Sequence, residues 1–230
     1  MNPEILYEDN HLLVVYKPIE VLSQADSSNR IDMLTILKKY IKEKYNKPGD
    51  VYLGLVHRLD YNTSGVMVYA RTSKAAARLA LSMQNGEFKK KYYAIVEGIV
   101  EAKTLTNYLL KDENEKKSYV NKNGKLAILD YKPIKTLKYK GVNSSLIDVS
   151  LKTGRFHQIR CQMAYIGHPL VGDNKYGSKI NCHYYLDCYS LSFPHPISKE
   201  ILTFNYEKRR NQLFWFLLFF FLFLVFLILI

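Results

Sequence analysis

The chain has 230 residues and a formal net charge of +12, with 33 Lys and Arg against 21 Asp and Glu. Outside an apolar C-terminal run about 210 residues remain, enough for one domain with a substantial core. The basic residues are scattered (Lys89–Lys91, Lys116–Lys117, Arg155, Arg160), which suits a broad surface facing polyphosphate, meaning nucleic acid or an anionic membrane, unless it only reflects a lysine-rich proteome.

Ile5–Tyr7 and Leu12–Tyr16 read as strands around the turn EDNH, and Lys17-Pro18 ends the second. Residues 20–30 are polar and loop-like. Apolar positions at Ile31, Leu34, Leu37, Ile41 and Tyr45 predict an amphipathic helix, which NKPGD breaks. Val51–Val56 and Val66–Tyr69 read as buried strands joined by a polar turn. TSKAAARLALSMQNG opens on a Thr/Ser cap and stops at Gly86, the pattern of a helix. KKYYAIVEGIV, KLAILDYKPIKTL and NSSLIDVSLKT are three further strands, the last two read as antiparallel neighbours. RFHQIRCQMAYIG is a helix ended by Gly167, and CYSLSFPHPISKEILTFNY is strand, turn and strand. About eight strands against three or four helices, without βαβ alternation, predict an α+β fold around a mixed, mainly antiparallel central sheet flanked by helices.

Three cysteines, Cys161, Cys182 and Cys188, are an odd number, and MNPEILYEDNHLL is too acidic and polar for a secretory signal. A reducing cytoplasm fits. Cys182, His183 and Cys188 match no standard zinc spacing, so no metal is expected.

The polar turn LVHRLDYNTSG carries His57, Arg58 and Asp60. Taken alone, Asp60 reads as a turn carboxylate capping backbone N–H groups, and an Arg–Asp pair beside it adds little, because exposed pairs are common and weak. The longer order says more. LYEDNHLLVVYKP, HRLDYNTSG, KKYYAIVEG, LKTGRFHQIR and GHPLVGDNKYG follow one another between about residues 4 and 204. This series resembles the RluA family of RNA pseudouridine synthases, and HRLD-x-x-TSG followed by TGR-x-HQ-x-R is its specific pair. The resemblance implies a pseudouridine-synthase catalytic domain over 1–208, without the N-terminal ribosomal-protein-like RNA-binding domain of many relatives. It also implies tRNA or 23S-type ribosomal RNA as substrate and a chemistry that needs no cofactor; the oligomeric state is open, with a monomer as the default.

By the same resemblance Asp60 is the nucleophile and Arg58 helps to displace the target base. Tyr92 of Lys90-Lys91-Tyr92, rather than Tyr93, is the active-site tyrosine, and Arg160 pairs with Asp60. His57, Thr63, Ser64, Gly65, Arg155, His157 and Gln158 lie on the substrate side of the motifs. Read as a residue, His57 is structural, because the chemistry needs no second titrating group beside Asp60; His168 in GHPLVGD reads as structural too. His157 and Gln158 open a helix and have either RNA or the motif loop as partner. Conversion of uridine to pseudouridine breaks N1–C1′ and forms C5–C1′ with no change in composition, so one carboxylate suffices. A glycoside hydrolase ordinarily needs two. An idle RNA-binding or RNA-folding protein on the same fold is the alternative, against which the intact Asp60, Arg58, Tyr92 and Arg160 set weighs.

The sequence departs from the family at Glu20, where a glycine is usual, at Leu129 for Thr, and at Leu186-Asp187-Cys188 for Leu-His-Ala. After Phe204 the usual Pro/Trp-rich ending is absent. Residues 209–230 instead form a basic flank and the apolar run Leu213–Ile230, whose eighteen residues reach the length of a membrane anchor. Apart from Trp215 the run is Phe, Leu, Val and Ile, whose codons share a central U, so a shifted reading frame would also produce it. Both readings fit the run.

Overall fold

In the computed structural model, which describes residues 1–207, the chain is built outward from β2 (Leu12–Lys17), LLVVYK, every residue of which is buried. A strand apolar on both sides needs cover on both sides. Its neighbours are β1 (Glu4–Glu8) and β4 (Ser64–Ala70), the latter also wholly buried. The described strands join into one sheet of eleven in the order β1, β2, β4, β10 (Leu186–Pro194), β5 (Lys89–Glu97), β9 (Val142–Leu151), β8 (Lys125–Tyr139), β6 (Lys103–Asp112) and β7 (Lys117–Val120), with β3 (Gly54–Leu55) on β4 and β11 (Ile201–Asn205) on β10. Every pairing is antiparallel except β10 (Leu186–Pro194) with β4, so the sheet is mixed and mainly antiparallel, as the element count predicts.

Among the described residues three α-helices cover it. α1 (Met33–Lys44) starts at Asp32, whose Oδ1 accepts the Thr35 N–H at 2.9 Å, and buries Met33, Leu37 and Ile41. α2 (Ser73–Gln84) starts at Thr72, whose hydroxyl accepts the Ala75 N–H. Leu79 of α2 joins Leu12, Val14, Val66, Val68, Leu191 and Phe193 in one core layer. The other layer unites Leu37 and Ile41 of α1 with Ile159 and Met163 of α3 (Gln158–Tyr165) and Leu13, Val15, Met67, Tyr92, Ile147 and Val149 from the strands. α3 thus lies on the same layer as Tyr92 of β5 (Lys89–Glu97), which fixes where the site forms.

Two strands not read from the sequence, β6 (Lys103–Asp112) and β7 (Lys117–Val120), pair as a hairpin on the far edge. β8 (Lys125–Tyr139) runs straight through Pro133 and pairs with β9 (Val142–Leu151), the register shifting between Pro133 and Lys135. Proline has no N–H to give a ladder, and a bulge absorbs the loss. The expected strand Val51–Val56 shrinks to two residues, because the chain leaves β4 to form the loop that carries Asp60.

The departures at 129 and 20 acquire physical meanings. Leu129 is fully buried, a core residue in place of a hydroxyl. Glu20 sits at φ +60°, in the left-handed region where glycine is unstrained. The apolar run Leu213–Ile230 lies outside the described residues, and among those described no helix is long and apolar enough to cross a membrane.

Candidate active site

The loop between β3 and β4 is held from below before any functional side chain is considered. The Ser23 hydroxyl donates to the Leu59 carbonyl at 2.8 Å and accepts the Leu59 N–H at 3.0 Å. Glu20 N–H donates to the Tyr61 carbonyl at 2.9 Å. Lys17, with no exposed surface, sends its ammonium to the carbonyls of Val21 (2.7 Å), Pro18 (2.8 Å) and Tyr61 (3.4 Å). Asp60 itself closes a turn, its carbonyl accepting the Thr63 N–H. Asp60 is therefore the fixed point of a clamped loop, flanked on both sides by restrained carbonyls.

Gly65 explains the turn's last residue. Its φ is +134°, and a Cβ there would stand 2.5 Å from the backbone of Cys188 on the parallel strand β10. Ser64 is fully buried and its hydroxyl donates to Asp187, which also accepts from Tyr16 Oη at 3.0 Å. Thr63 is buried and lines a small recess beside Asp60. Ser64 and Gly65 thus fix the β4–β10 junction and face the core. His57 is also turned inward: its Nε2 accepts the Val68 N–H at 3.3 Å, and burial first, then Lys90, hold its pKa well below the usual value. The structural reading of His57 agrees with this placement.

Around Asp60 the recess, about 80 Å³, is lined by Arg58, Leu59, Thr63, Tyr92, His157, Gln158 and Arg160 among others. It adjoins a groove of about 810 Å³ between the α2–β5 turn and residues 151–156, which also contains Arg58, Asp60, Lys90 and Arg155. Arg58 is exposed and belongs to both. Tyr92 is buried and burial, Cys188 and Asp60 push its phenol well above its ordinary pKa, so the ring stands as a neutral wall of the recess.

Arg160 joins two carboxylates separated by more than a hundred residues of chain. Its Nε and Nη2 donate to Asp173 at 2.6 and 2.8 Å, a bidentate pair, and its Nη1 donates to Asp60 Oδ2 at 3.1 Å. The guanidinium lies over the Tyr176 ring at 5.0 Å and the Tyr184 ring at 4.7 Å. Burial opposes its charge, yet Asp173, Tyr184 and Asp60 hold its pKa above the ordinary arginine value. His157 approaches the same Asp60 oxygen, Nε2 to Oδ2, at 3.5 Å. It has φ +51°, stacks on Phe156 with centroids 3.8 Å apart, and its pKa falls to about 4, chiefly through burial.

Gln158 is buried and makes three hydrogen bonds to protein. Its Oε1 accepts from Thr153 Oγ1 and from the Arg155 N–H, both at 2.9 Å, and its Nε2 donates to the Ile128 carbonyl. Two of these, to Thr153 and Arg155, are to the motif loop. Arg155 is exposed in the groove, its Nε on the Leu126 carbonyl at 2.8 Å. His168 accepts its structural reading, with Nδ1 on the Glu97 carbonyl at 2.8 Å. Asp173, Tyr176, Lys17 and Ser23 were not legible as site residues, although GDNKYG and the YKP segment both fall within the blocks of the motif series.

Chemically, the arrangement offers one accessible carboxylate, a cation fixing it, a neutral aromatic wall and a cationic groove. Asp173 is a second carboxylate nearby, but its side chain is 2% exposed and committed to Arg160.

A sequence model described as RNA pseudouridylate synthase matches residues 11–165. The chain is 34% identical to the ribosomal large subunit pseudouridine synthase D of Zymomonas mobilis, over 91% of this chain and 70% of that protein. It is 30% identical to the tRNA pseudouridine synthase C of Vibrio cholerae, over 87% of this chain and 88% of that protein. Among solved structures, human RNA pseudouridylate synthase domain containing 1 shares the fold, with a TM-score of 0.72, 24% identity, and coverage of 89% of this chain and 82% of that one.

Proposed function

Since the chain belongs to the RNA pseudouridylate synthase family and converts uridine to pseudouridine in RNA, we propose that Asp60 is the nucleophile of that isomerisation, within a catalytic unit spanning residues 1–208. The observation that carries the reading is the convergence of Asp60, Arg160 and Tyr92 on one recess at the floor of a cationic groove. The carboxylate, aimed by Arg160 at 3.1 Å, attacks or deprotonates the ribose as the N1–C1′ bond breaks. The detached uracil turns in the recess against Tyr92 and bonds to C1′ through C5, which expels the carboxylate from C1′ or returns the ribose proton it took. Its C5 proton is then lost and N1 gains one, so the composition is unchanged. A phenol pushed far above its ordinary pKa is a poor base, which favours stacking or relay for Tyr92 over direct proton removal.

The target base has to leave its stack, at a cost of a few kcal/mol. Arg58, exposed at the mouth of both spaces, fits the role of filling the gap it leaves. Lys90, Lys152 and Arg155 in the groove supply phosphate contacts that offset the cost. The substrate is structured RNA, either tRNA or large-subunit ribosomal RNA, in keeping with the names of relatives of both kinds. The protein acts as a monomer in a reducing cytoplasm, in keeping with three free cysteines.

The test is tritium release from RNA labelled at uridine C5, with total tRNA and ribosomal RNA offered separately. Wild type should release tritium from one of them. Asp60→Asn should release none while binding RNA within a few-fold of wild type, because phosphate contacts dominate affinity. Equal loss of binding and turnover in Asp60→Asn would make Asp60 a structural residue and overturn the reading.

A further inference from the structure

Both groups that reach the Asp60 carboxylate reach the same oxygen. Arg160 Nη1 donates a hydrogen bond to Oδ2 at 3.1 Å, His157 Nε2 stands 3.5 Å from the same oxygen, just beyond a hydrogen bond, and among the described residues no hydrogen bond reaches Oδ1. What each presents is decided behind it, by a single 3-10 turn, Asn174–Tyr176, with Asp173 as its first flanking residue. Asp173 takes two guanidinium N–H groups of Arg160. Tyr176 Oη lies 3.0 Å from His157 Nδ1 and also accepts the Ser118 backbone N–H at 2.8 Å. With that N–H already on the oxygen, the phenolic hydrogen finds its partner at Nδ1, so Nδ1 accepts and the neutral ring carries its proton on Nε2. That is also the tautomer a carboxylate oxygen requires opposite it. The ring cannot drift, being stacked on Phe156 and buried to all but 9% of its side chain.

We propose that His157 is a positioning residue of the isomerase, set by Tyr176 to donate Nε2–H to Asp60 Oδ2 beside Arg160, so that Oδ1 is the oxygen that reacts. The proposal rests on Asp60 being the nucleophile. It gives the GDNKYG segment a role in the chemistry, because one turn holds both holders of the carboxylate, Asp173 through Arg160 and Tyr176 through His157. It also ties the site to the β6–β7 hairpin, since Ser118 of β7 is what commits the Tyr176 hydroxyl. Arg160 holds Oδ2 at 3.1 Å, and closure of His157 onto it from 3.5 Å as substrate binds would fix the carboxylate in rotation, orientation of a reacting atom being a large part of the barrier a site can remove.

The experiment is single-turnover pseudouridine formation at saturating protein, with RNA affinity measured separately, on wild type, His157→Leu, His157→Gln and Tyr176→Phe. Gln places an amide N–H about where Nε2 stands. His157→Leu should lower the single-turnover rate at least about tenfold, the size of one charge-assisted hydrogen bond, with RNA affinity within twofold. His157→Gln should recover most of that rate. Tyr176→Phe should fall between wild type and His157→Leu, since the ring remains but its tautomer is no longer fixed. Wild-type rate in His157→Leu would overturn the proposal, as would equal rates in His157→Leu and His157→Gln. If Leu unfolds the site, the comparison of Gln with Tyr176→Phe still decides: a Tyr176→Phe rate equal to wild type overturns it. Wild type forming no pseudouridine would refute the reading of Asp60 instead, a distinct outcome.

Discussion

Replacing Arg160 with methionine removes three donors at once and leaves two carboxylates to fend for themselves unequally. Asp60 is 27% exposed in its side chain and can turn to water, whereas Asp173 is 2% exposed and cannot. The stability loss therefore comes from Asp173, and breaking a buried pair from one side costs about 3–5 kcal/mol. For a chain of this size each kcal/mol is worth roughly 2–4 °C, so Arg160→Met should melt about 6–20 °C below wild type. Turnover should fall more than tenfold beyond any unfolded fraction, because Asp60 also loses its nearest charge-assisted donor. The two losses separate in a second variant. Arg160→Met combined with Asp173→Asn removes the stranded charge, so thermal and urea unfolding should show much of the stability restored while pseudouridine formation stays low. Should Arg160→Met unfold within about 1 kcal/mol of wild type, or the double variant be less stable than the single, the assignment of the cost to Asp173 is wrong.

Three further outcomes follow from named features. Glu20→Gly relieves a left-handed residue whose one ion pair among the described residues, with His183 at 3.5 Å, joins two half-exposed side chains, so it should raise the melting temperature by a few degrees, worth up to about 1 kcal/mol; a lower melting temperature would show that the pair matters more than the strain. Gly65→Ala meets backbone rather than a flexible side chain at Cys188 and should cost roughly 3 kcal/mol or more in urea unfolding, with an unchanged midpoint counting against the packing account. His157, whose pKa is lowered to about 4, resists protonation when folded, so the unfolded state takes up the proton first as pH falls below the ordinary histidine value. Its contribution is whole above about pH 6.5 and is lost downward toward pH 4, by up to about 1.4 kcal/mol per unit; His157→Gln should therefore show a shallower acid loss of stability, and parallel curves would remove His157 from the acid response.

What could be read in the sequence was whatever is decided locally. Thr72 announces α2 because a cap acts on N–H groups three residues away, and the apolar spacing Leu34, Leu37, Ile41 announces α1, whose Asp32 cap the spacing alone places inside the helix. β5, β8 and β9 are apolar enough to declare themselves. β6 and β7 are not: the hairpin buries little beyond Leu105, Leu109 and Ser118, and its other side chains are mostly polar and exposed, so β6 exists through pairing with β8 and β7 through pairing with β6 rather than through any periodic signal. The same division runs through the site. Asp60 and Arg160 sit in motif blocks, and the pairing that the resemblance implies is found at 3.1 Å. Asp173 and Tyr176 act only because a 3-10 turn brings them under residues 157 and 160, a contact that spacing along the chain cannot express. His57, Ser64 and Gly65, neighbours of Asp60 in sequence, are instead committed to the Val68 N–H, to Asp187 and to close approach of Cys188.

The second carboxylate bears on why the site isomerises and does not hydrolyse. Sequence reasoning sees one carboxylate in the motif and infers that none is available to protonate a leaving group. The fold then brings Asp173 within one guanidinium of Asp60, which on proximity alone would supply the missing partner. Its chemistry is closed off by the geometry: both of its oxygens accept from Arg160, and its side chain has almost no contact with solvent. An acid catalyst must hold a proton and reach the leaving atom, and a bidentate partner of a guanidinium does neither. Asp173 thus acts on the reaction only by fixing Arg160, and the accessible chemistry at this site reduces to a single carboxylate, as a reaction that keeps its detached base in place requires.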